Sequence, residues 1–225
     1  MSYQTLQYHI KNHVAYLSIG LIPYSYLIDN NFDQLERILN KVERDKDINV
    51  VVISFINETI VNSEKTLKNN KNCNQNTKSN DLKANALCSV LKHVSKPVIG
   101  VMNGLAISSV LELLLACDLR ICSDRAKFAF PEINLATIPN NGGTQYLPKI
   151  VGQAAAKELL FFGLMIDANR ASAISLVNAV FPDEELIAKT ECLAEKLAKK
   201  PPTAMRMLKE TFNLVSNIEL YTDLK

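Results

Sequence analysis

An α/β architecture, rich in strands at the front and helical at the back, is what this 225-residue sequence predicts. Three observations predict it. Short β-branched runs alternate with segments whose apolar residues recur at helical spacing. After Gly143 that alternation gives way to an almost wholly helical pattern. Glycine is scarce, with seven in the chain, yet Gly142 and Gly143 stand together where the pattern changes. Alternation of this kind argues for strands covered by helices.

The elements follow in order. HVAYLSI (13–19) and NVVVISF (49–55) have the length and β-branching of strands, and FDQLERILNKV between them sets Leu35, Ile38, Leu39 and Val42 at helical spacing. ALCSVLKHV (86–94) reads as a helix, KPVIGVM (96–102) as a strand and SSVLELLLAC (108–117) as a helix. LRICSD (119–124) and AKFAF (126–130) read as strands. GTQYLPKIV, AAAKELLFFG and ANRASAISL then read as three helices, and NAVF (178–181) as a possible strand. DEELIAKTECLAEKLAKK (183–200) and PTAMRMLKETFNLVSN (202–217) close the pattern as helices. Residues 68–80 hold almost nothing apolar and are expected to form a mobile loop. No internal repeat suggests a solenoid or propeller.

Composition narrows the function classes. A hydrophobic content of 48% over this length buries a core without staples, as one large domain or one domain with a small appendage. The formal charge of +2 comes from 25 basic and 23 acidic residues spread along the chain, which leaves no footprint for nucleic acid or an acidic membrane surface. Cys73, Cys88, Cys117, Cys122 and Cys192 are odd in number and contain no CxxC pair, which favours reduced structural thiols over metal or redox roles. The N-terminus has no apolar signal region, and no run approaches the roughly 18 apolar residues of a membrane span. A cytoplasmic protein is expected.

Two acids stand in apolar company. The helix holding Glu112 is apolar all round, which marks it as buried. A buried carboxylate is either an acid/base group or half of an ion pair, with Arg120 or Arg125 as candidate partners. Glu132 follows Pro131 and has no cation close in sequence. Downstream, Gly142 and Gly143 let the backbone turn tightly and approach a ligand before the next helix, with Thr144 available as its cap.

These residues resemble the crotonase superfamily, the enoyl-CoA hydratases and isomerases. The resemblance is carried by the KPVI strand, the NG turn at Asn103–Gly104, the Glu112-x-x-x-x-Cys117-Asp118 helix, the A-x-F-x-x-PE turn at Glu132 and the GGTQ helix start. It is strong from Lys96 to about Pro182. It implies a spiral of ββα units with a helical C-terminal region, divided as a core over 1–182 and a shorter-than-usual helical segment over 183–225. It also implies that Glu112 and Glu132 hold a water between them and add it across the double bond of an enoyl thioester. One would act as base while the other protonates the α-carbon. Backbone N–H groups at Ser109 and Asn62 are implied as the oxyanion hole, and Ser108, Pro139, Gly142 and Gly143 as pocket lining. The substrate would be an acyl-CoA or acyl-carrier thioester, with no cofactor or metal beyond it, and the assembly a trimer or hexamer of this chain.

The departures from the family pattern cluster near the thioester. Ser108, Ser109 and Val110 stand where the family carries glycines, and Val61–Lys65 (VNSEK) replaces a small-residue oxyanion segment. Ile19–Ile28 has no basic residue where a coenzyme A loop carries one. Two alternatives therefore stand beside a hydratase: a crotonase-fold binding or assembly protein without catalysis, and an isomerase that uses Glu132 alone.

Overall fold

The computed structural model describes residues 6–20, 29–56 and 86–222. Strand β1 (Leu6–Lys11) turns through Asn12 and His13, both at positive φ, into β2 (Val14–Gly20). A two-residue turn with φ positive at both centres matches the twist of the hairpin it closes. Helix α1 (Asp29–Arg44) leads to β3 (Val50–Ile56), and a helix over residues 86–93, α2, precedes β4 (Val98–Asn103). Lys96 donates to the carbonyls of Val42 and Asp45 and so caps the C-terminus of α1.

The six-stranded sheet runs β1-β2-β3-β4-β6-β9, where β6 is Leu119–Ser123 and β9 is Ala179–Phe181. Its pairs are parallel except the β1–β2 hairpin. Parallel strands covered on both faces read as continuous apolar runs, and period two decides which residue faces which layer. Ala15, Leu17, Val51, Ile53 and Phe55 join the larger core beneath α1 and α2. Val14, Tyr16, Val50, Val52, Ile99 and Ile121 point the other way, where Leu186, Ala194 and Ala198 of α6 (Leu186–Ala198) cover them. The helical segment beyond residue 182 thus supplies one face of the sheet's packing.

A second, three-stranded sheet holds β5 (Leu105–Ile107), β7 (Lys127–Ala129) and β8 (Met165–Asp167) in the order β5-β7-β8. Between these strands lie α3 (Ser109–Ala116), a 3-10 turn (Pro131–Leu135) and α4 (Gly143–Phe162). Helix α5 (Ala168–Ala173) follows β8 with Asp167 as its N-cap, and α7 (Pro202–Thr222) ends the described chain.

The α/β expectation stands, with three strands added to it. Strands β1, β5 and β8 were not expected. β1 is an edge strand with its side chains largely exposed, and β5 and β8 are three residues long and sit beside helical patterns that mask them. The two helices expected on either side of Gly152 are present and meet at a kink there, where the glycine adopts φ 78° and ψ 159°; α4 denotes the pair. Asn62, the 68–80 loop and most of the 19–28 segment lie outside the described residues. Among the described residues, no helix is long and apolar enough to cross a membrane, and no cluster of His, Cys, Asp and Glu is placed to hold a metal ion.

Candidate active site

Strands β5 and β7 lie side by side and parallel, with Ile107 opposite Ala129. Ser108 N–H donates to the Ala129 carbonyl at 3.3 Å, so the register continues past the strand end. Both strands then leave the sheet at the same end. One opens into α3, which carries Glu112 in its first turn, and the other into the 3-10 turn that carries Glu132. Helix α4 starts against both: it packs on α3 and on the 3-10 turn.

Glu112 is 1% exposed. Its Oε1 accepts from the backbone N–H of Asn141 at 2.8 Å and of Gly143 at 2.9 Å, and its Oε2 accepts from Asn141 Nδ2 at 2.9 Å. Three donors spread over both oxygens stabilise the charged carboxylate, and two of them belong to the N-terminal approach of α4, whose dipole adds to the effect. The charge is felt nearby: burial first, then the Glu112 carboxylate, pushes the Cys88 thiol well above its ordinary range.

The two candidate ion-pair partners of Glu112 are corrected by this geometry. Arg120 donates Nε to the Leu176 carbonyl and a terminal N–H to the Cys117 carbonyl, each at 2.8 Å, and burial lowers its pKa. Arg125 pairs with Asp183 at 2.7 Å. Both guanidiniums are engaged elsewhere because Glu112 faces the start of α4, not the loop after α3. The expected Thr144 cap is also corrected. The N-cap of α4 is Gly142, no side chain of the helix caps it, and Thr144 is exposed.

The glycine pair is accounted for by Glu112. Gly142 adopts φ 105°, and a Cβ there would lie 2.3 Å from the Tyr146 ring. A Cβ on Gly143 would lie 2.9 Å from Pro139 Cβ, 3.0 Å from Glu112 Oε1 and 3.1 Å from Phe130 Cε1. The first glycine lets the chain turn, and the second lets a backbone N–H reach the buried carboxylate. Pro139, Gly142 and Gly143 are all buried around Glu112.

Glu132 is half-buried, with its Oε2 atom out of solvent. Thr137 N–H and hydroxyl both donate to its carbonyl, fixing the turn at 3.1 and 3.2 Å. Ser108 takes φ 52° and ψ −124°, a glycine-type conformation, and Ser109 begins α3. Its N–H lies among the helix-start donors that no carbonyl of the same helix can accept. Lys92 of α2 sits 3.1 Å from the centroid of the Tyr146 ring, with its pKa lowered to about 8, first by burial and then by Lys149. An open cleft of about 740 Å³, between the β1–β2 turn and the α6–α7 junction, is lined by Asn12, His13, Asn49, Glu195, Lys199 and Lys200 and contains neither Glu112 nor Glu132.

Asn141 was missed in the sequence. The signal was an amide directly before two scarce glycines, but nothing local says that its partner is a glutamate on another helix. Asn103, of the NG turn, accepts from Ser123 Oγ at 3.0 Å and ties β4 to β6 behind the site.

The chain is similar to known proteins over most of its length. The profile of the family described as enoyl-CoA hydratase/isomerase matches residues 25–225. A short-chain-enoyl-CoA hydratase of Clostridioides difficile is 44% identical over 127 residues, covering 56% of this chain and 81% of that protein. An (E)-benzylidenesuccinyl-CoA hydratase of Thauera aromatica is 31% identical over 217 residues, 94% of this chain and 83% of that one. Among solved structures, the enoyl-CoA hydratase of Bacillus anthracis superposes with a TM-score of 0.83 at 26% identity, covering 98% of this chain and 91% of the other.

Proposed function

The chain belongs to the enoyl-CoA hydratase/isomerase family, and on that premise we propose that it is a hydratase, adding water to the α,β double bond of an acyl-CoA or removing it. The observation that carries this reading is the common origin of two carboxylates. Glu112 and Glu132 rise from the same ends of paired strands β5 and β7, and Glu112 is held as a charged group by three N–H donors.

The roles follow from the two environments. Glu112, ionised among its donors, is the base that takes a proton from water as the C–O bond forms at the β-carbon. Glu132 supplies the proton that forms the C–H bond at the α-carbon, and proton exchange with solvent resets the pair. Negative charge gathers on the thioester oxygen in the transition state. The Ser109 N–H, at the start of α3, is the donor we assign to it, with Asn62 as its expected companion. Ser108 and Pro139 would line the acyl pocket beside Gly142 and Gly143. The reaction as proposed consumes the enoyl thioester and one water and uses no further group.

The chain is further proposed to work as a homo-oligomer, a trimer or hexamer, in the cytoplasm. Met207, Leu208, Phe212, Leu214 and Val215 of α7 are all exposed in the single chain, which supports coverage by a second copy. Sedimentation of the wild type and of Phe212→Lys tests this, with a monomeric wild type as the adverse result.

The activity is tested by following loss of the conjugated double bond of enoyl thioesters of graded chain length, on coenzyme A and on an acyl-carrier protein. Glu112→Gln and Glu132→Gln should each abolish turnover. A wild type inactive on every substrate, or a fully active Glu112→Gln, sinks the proposal; the latter outcome is what an isomerase relying on Glu132 would give.

A further inference from the structure

Asn141 is 3% exposed, and it gives Glu112 two hydrogen bonds, from its backbone N–H at 2.8 Å and from Nδ2 at 2.9 Å. Its Oδ1 is buried and accepts no hydrogen bond among the described residues. The amide cannot be turned over to relieve this, because Oδ1 would then face Glu112 Oε2, acceptor against acceptor. A buried acceptor without a donor is costly, so one is to be expected from outside the fold. The reacting end of an enoyl thioester offers only C=C and C=O, with no N–H or O–H. The donor that the reaction itself brings to this carboxylate is water.

We propose that Asn141 orients the nucleophilic water, Oδ1 accepting one of its O–H bonds while Glu112 removes the proton from the other. The inference rests on the hydratase reading and deepens it. Water carries two hydrogens: one goes to Glu112, and Glu132, which carries the proton for the α-carbon, is a donor and not an acceptor for the other. A second acceptor, locked to Glu112 through Nδ2, fixes the oxygen lone pair that attacks the β-carbon. In the reverse direction the same Oδ1 accepts from the hydroxyl of the 3-hydroxyacyl thioester before it leaves as water. No atom is gained or lost beyond the water added.

Two measurements test this. In the first, Asn141→Ala and Asn141→Ser are assayed for hydration and, separately, for exchange of the α-protons of a saturated acyl-CoA in D2O, which needs Glu132 and the oxyanion donors but no water addition. Hydration kcat is expected to fall about ten- to hundred-fold with KM within about three-fold, the size of effect produced by misplacing one reactant. The α-proton exchange rate should stay within about two-fold. Hydration that is unchanged, or that falls in step with exchange, overturns the proposal and leaves the hydratase reading standing. The second measurement is a crystal structure of the wild type at near-atomic resolution, which decides the matter even for an enzyme with no turnover. A water within hydrogen-bond distance of both Asn141 Oδ1 and the Glu112 carboxylate is expected. An Oδ1 satisfied by a protein donor, or with no water beside it, overturns the proposal.

Discussion

Glu112 does for α4 what a serine or aspartate N-cap does in other helices, but from a different helix and with both oxygens used. This joins folding to chemistry in one side chain. Glu112→Ala would leave the N–H groups of Asn141 and Gly143 buried without an acceptor, a loss of about 3 kcal/mol. Glu112→Gln differs, because the Asn141 amide can then turn over and accept from the new Nε2–H. That variant should stay within about 1 kcal/mol of wild type while losing turnover. Urea unfolding separates the two; equal destabilisation would mean that Asn141 does not adapt. At Gly143 the neighbours are Pro139, Phe130 and the carboxylate itself, none a flexible chain end that can swing clear. Gly143→Ala should therefore cost about 1–3 kcal/mol and displace Glu112, lowering kcat by more than the stability loss explains.

At the scale of elements, the turn into α3 is strained. Serine at φ 52° and ψ −124° sits where glycine is at ease, a penalty of about 1–3 kcal/mol against the 0.5–1 kcal/mol, roughly, that glycine's extra freedom costs. Strain outweighs that freedom, so Ser108→Gly should stabilise the fold by about 1 kcal/mol and raise Tm by about 2–4 °C. An unchanged or lower Tm would show that the Ser108 side chain contributes contacts worth as much as the strain. Helix α2 offers a pH-dependent counterpart. The folded chain releases the Lys92 proton near pH 8, whereas an unfolded lysine keeps it to 10.5. Between those values the unfolded state binds more protons, so the penalty is fully present below pH 8 and stability climbs with pH above it. Relative to Lys92→Met, wild type should gain stability from pH 8 to 9.5. Lys149, Lys209, Asp118 and Cys88 face the same amine, and the Tyr146 hydroxyl, itself raised by burial, titrates above this window. A difference that shrinks with pH would mean the ring contact of the ammonium outweighs its desolvation.

The same scale shows what could be read from the chain beforehand. The central strands were legible as short β-branched apolar runs, α1 by apolar residues at helical spacing, and α3 as a longer run apolar all round. β5 and β8 were not, since Leu105–Ile107 runs on towards the apolar start of α3 and Met165–Asp167 lies between two helical patterns, so neither stands out from its neighbours. Glu112 and the glycine pair were visible by contrast with their surroundings, one as a charge among leucines and the other as a rare residue doubled. The reason for the pairing was not visible: Thr144 was the local candidate for the cap, and the true acceptor comes from across the fold. Asn141 escaped for the same reason, its importance lying wholly in a contact between helices.

At the scale of the molecule, the end of the chain is fastened to its middle by one buried cation. Lys209 of α7 donates to Asp118 Oδ2 at 2.7 Å and to the Lys96 carbonyl at 3.0 Å. Asp118 Oδ2 also accepts from Val98 N–H at 2.7 Å, so a single carboxylate ties the start of β4, the end of α3 and the last helix together. Asn213 Nδ2 adds a bond to the Lys92 carbonyl one turn further on. The lysine side chain is 7% exposed and the aspartate 33%, so removing the lysine strips a half-desolvated carboxylate of its partner. A fully buried pair would lose about 3–5 kcal/mol in this way, and solvent at Asp118 reduces the figure to about 2 kcal/mol. Lys209→Met keeps the length and apolar stem of the side chain, so its effect isolates the charge. It should free α7 before the rest of the fold, giving faster amide exchange across Pro202–Val215 and earlier proteolysis there, while exchange in β2, β3 and β4 remains slow. Asp118→Asn should be the more damaging change, because it weakens the Val98 bond as well and leaves a buried ammonium without a counter-charge. If the two variants lost equal stability and exchange rose evenly over the whole chain, α7 would be unfolding with the core as one unit, and the latch at Lys209 would hold nothing by itself.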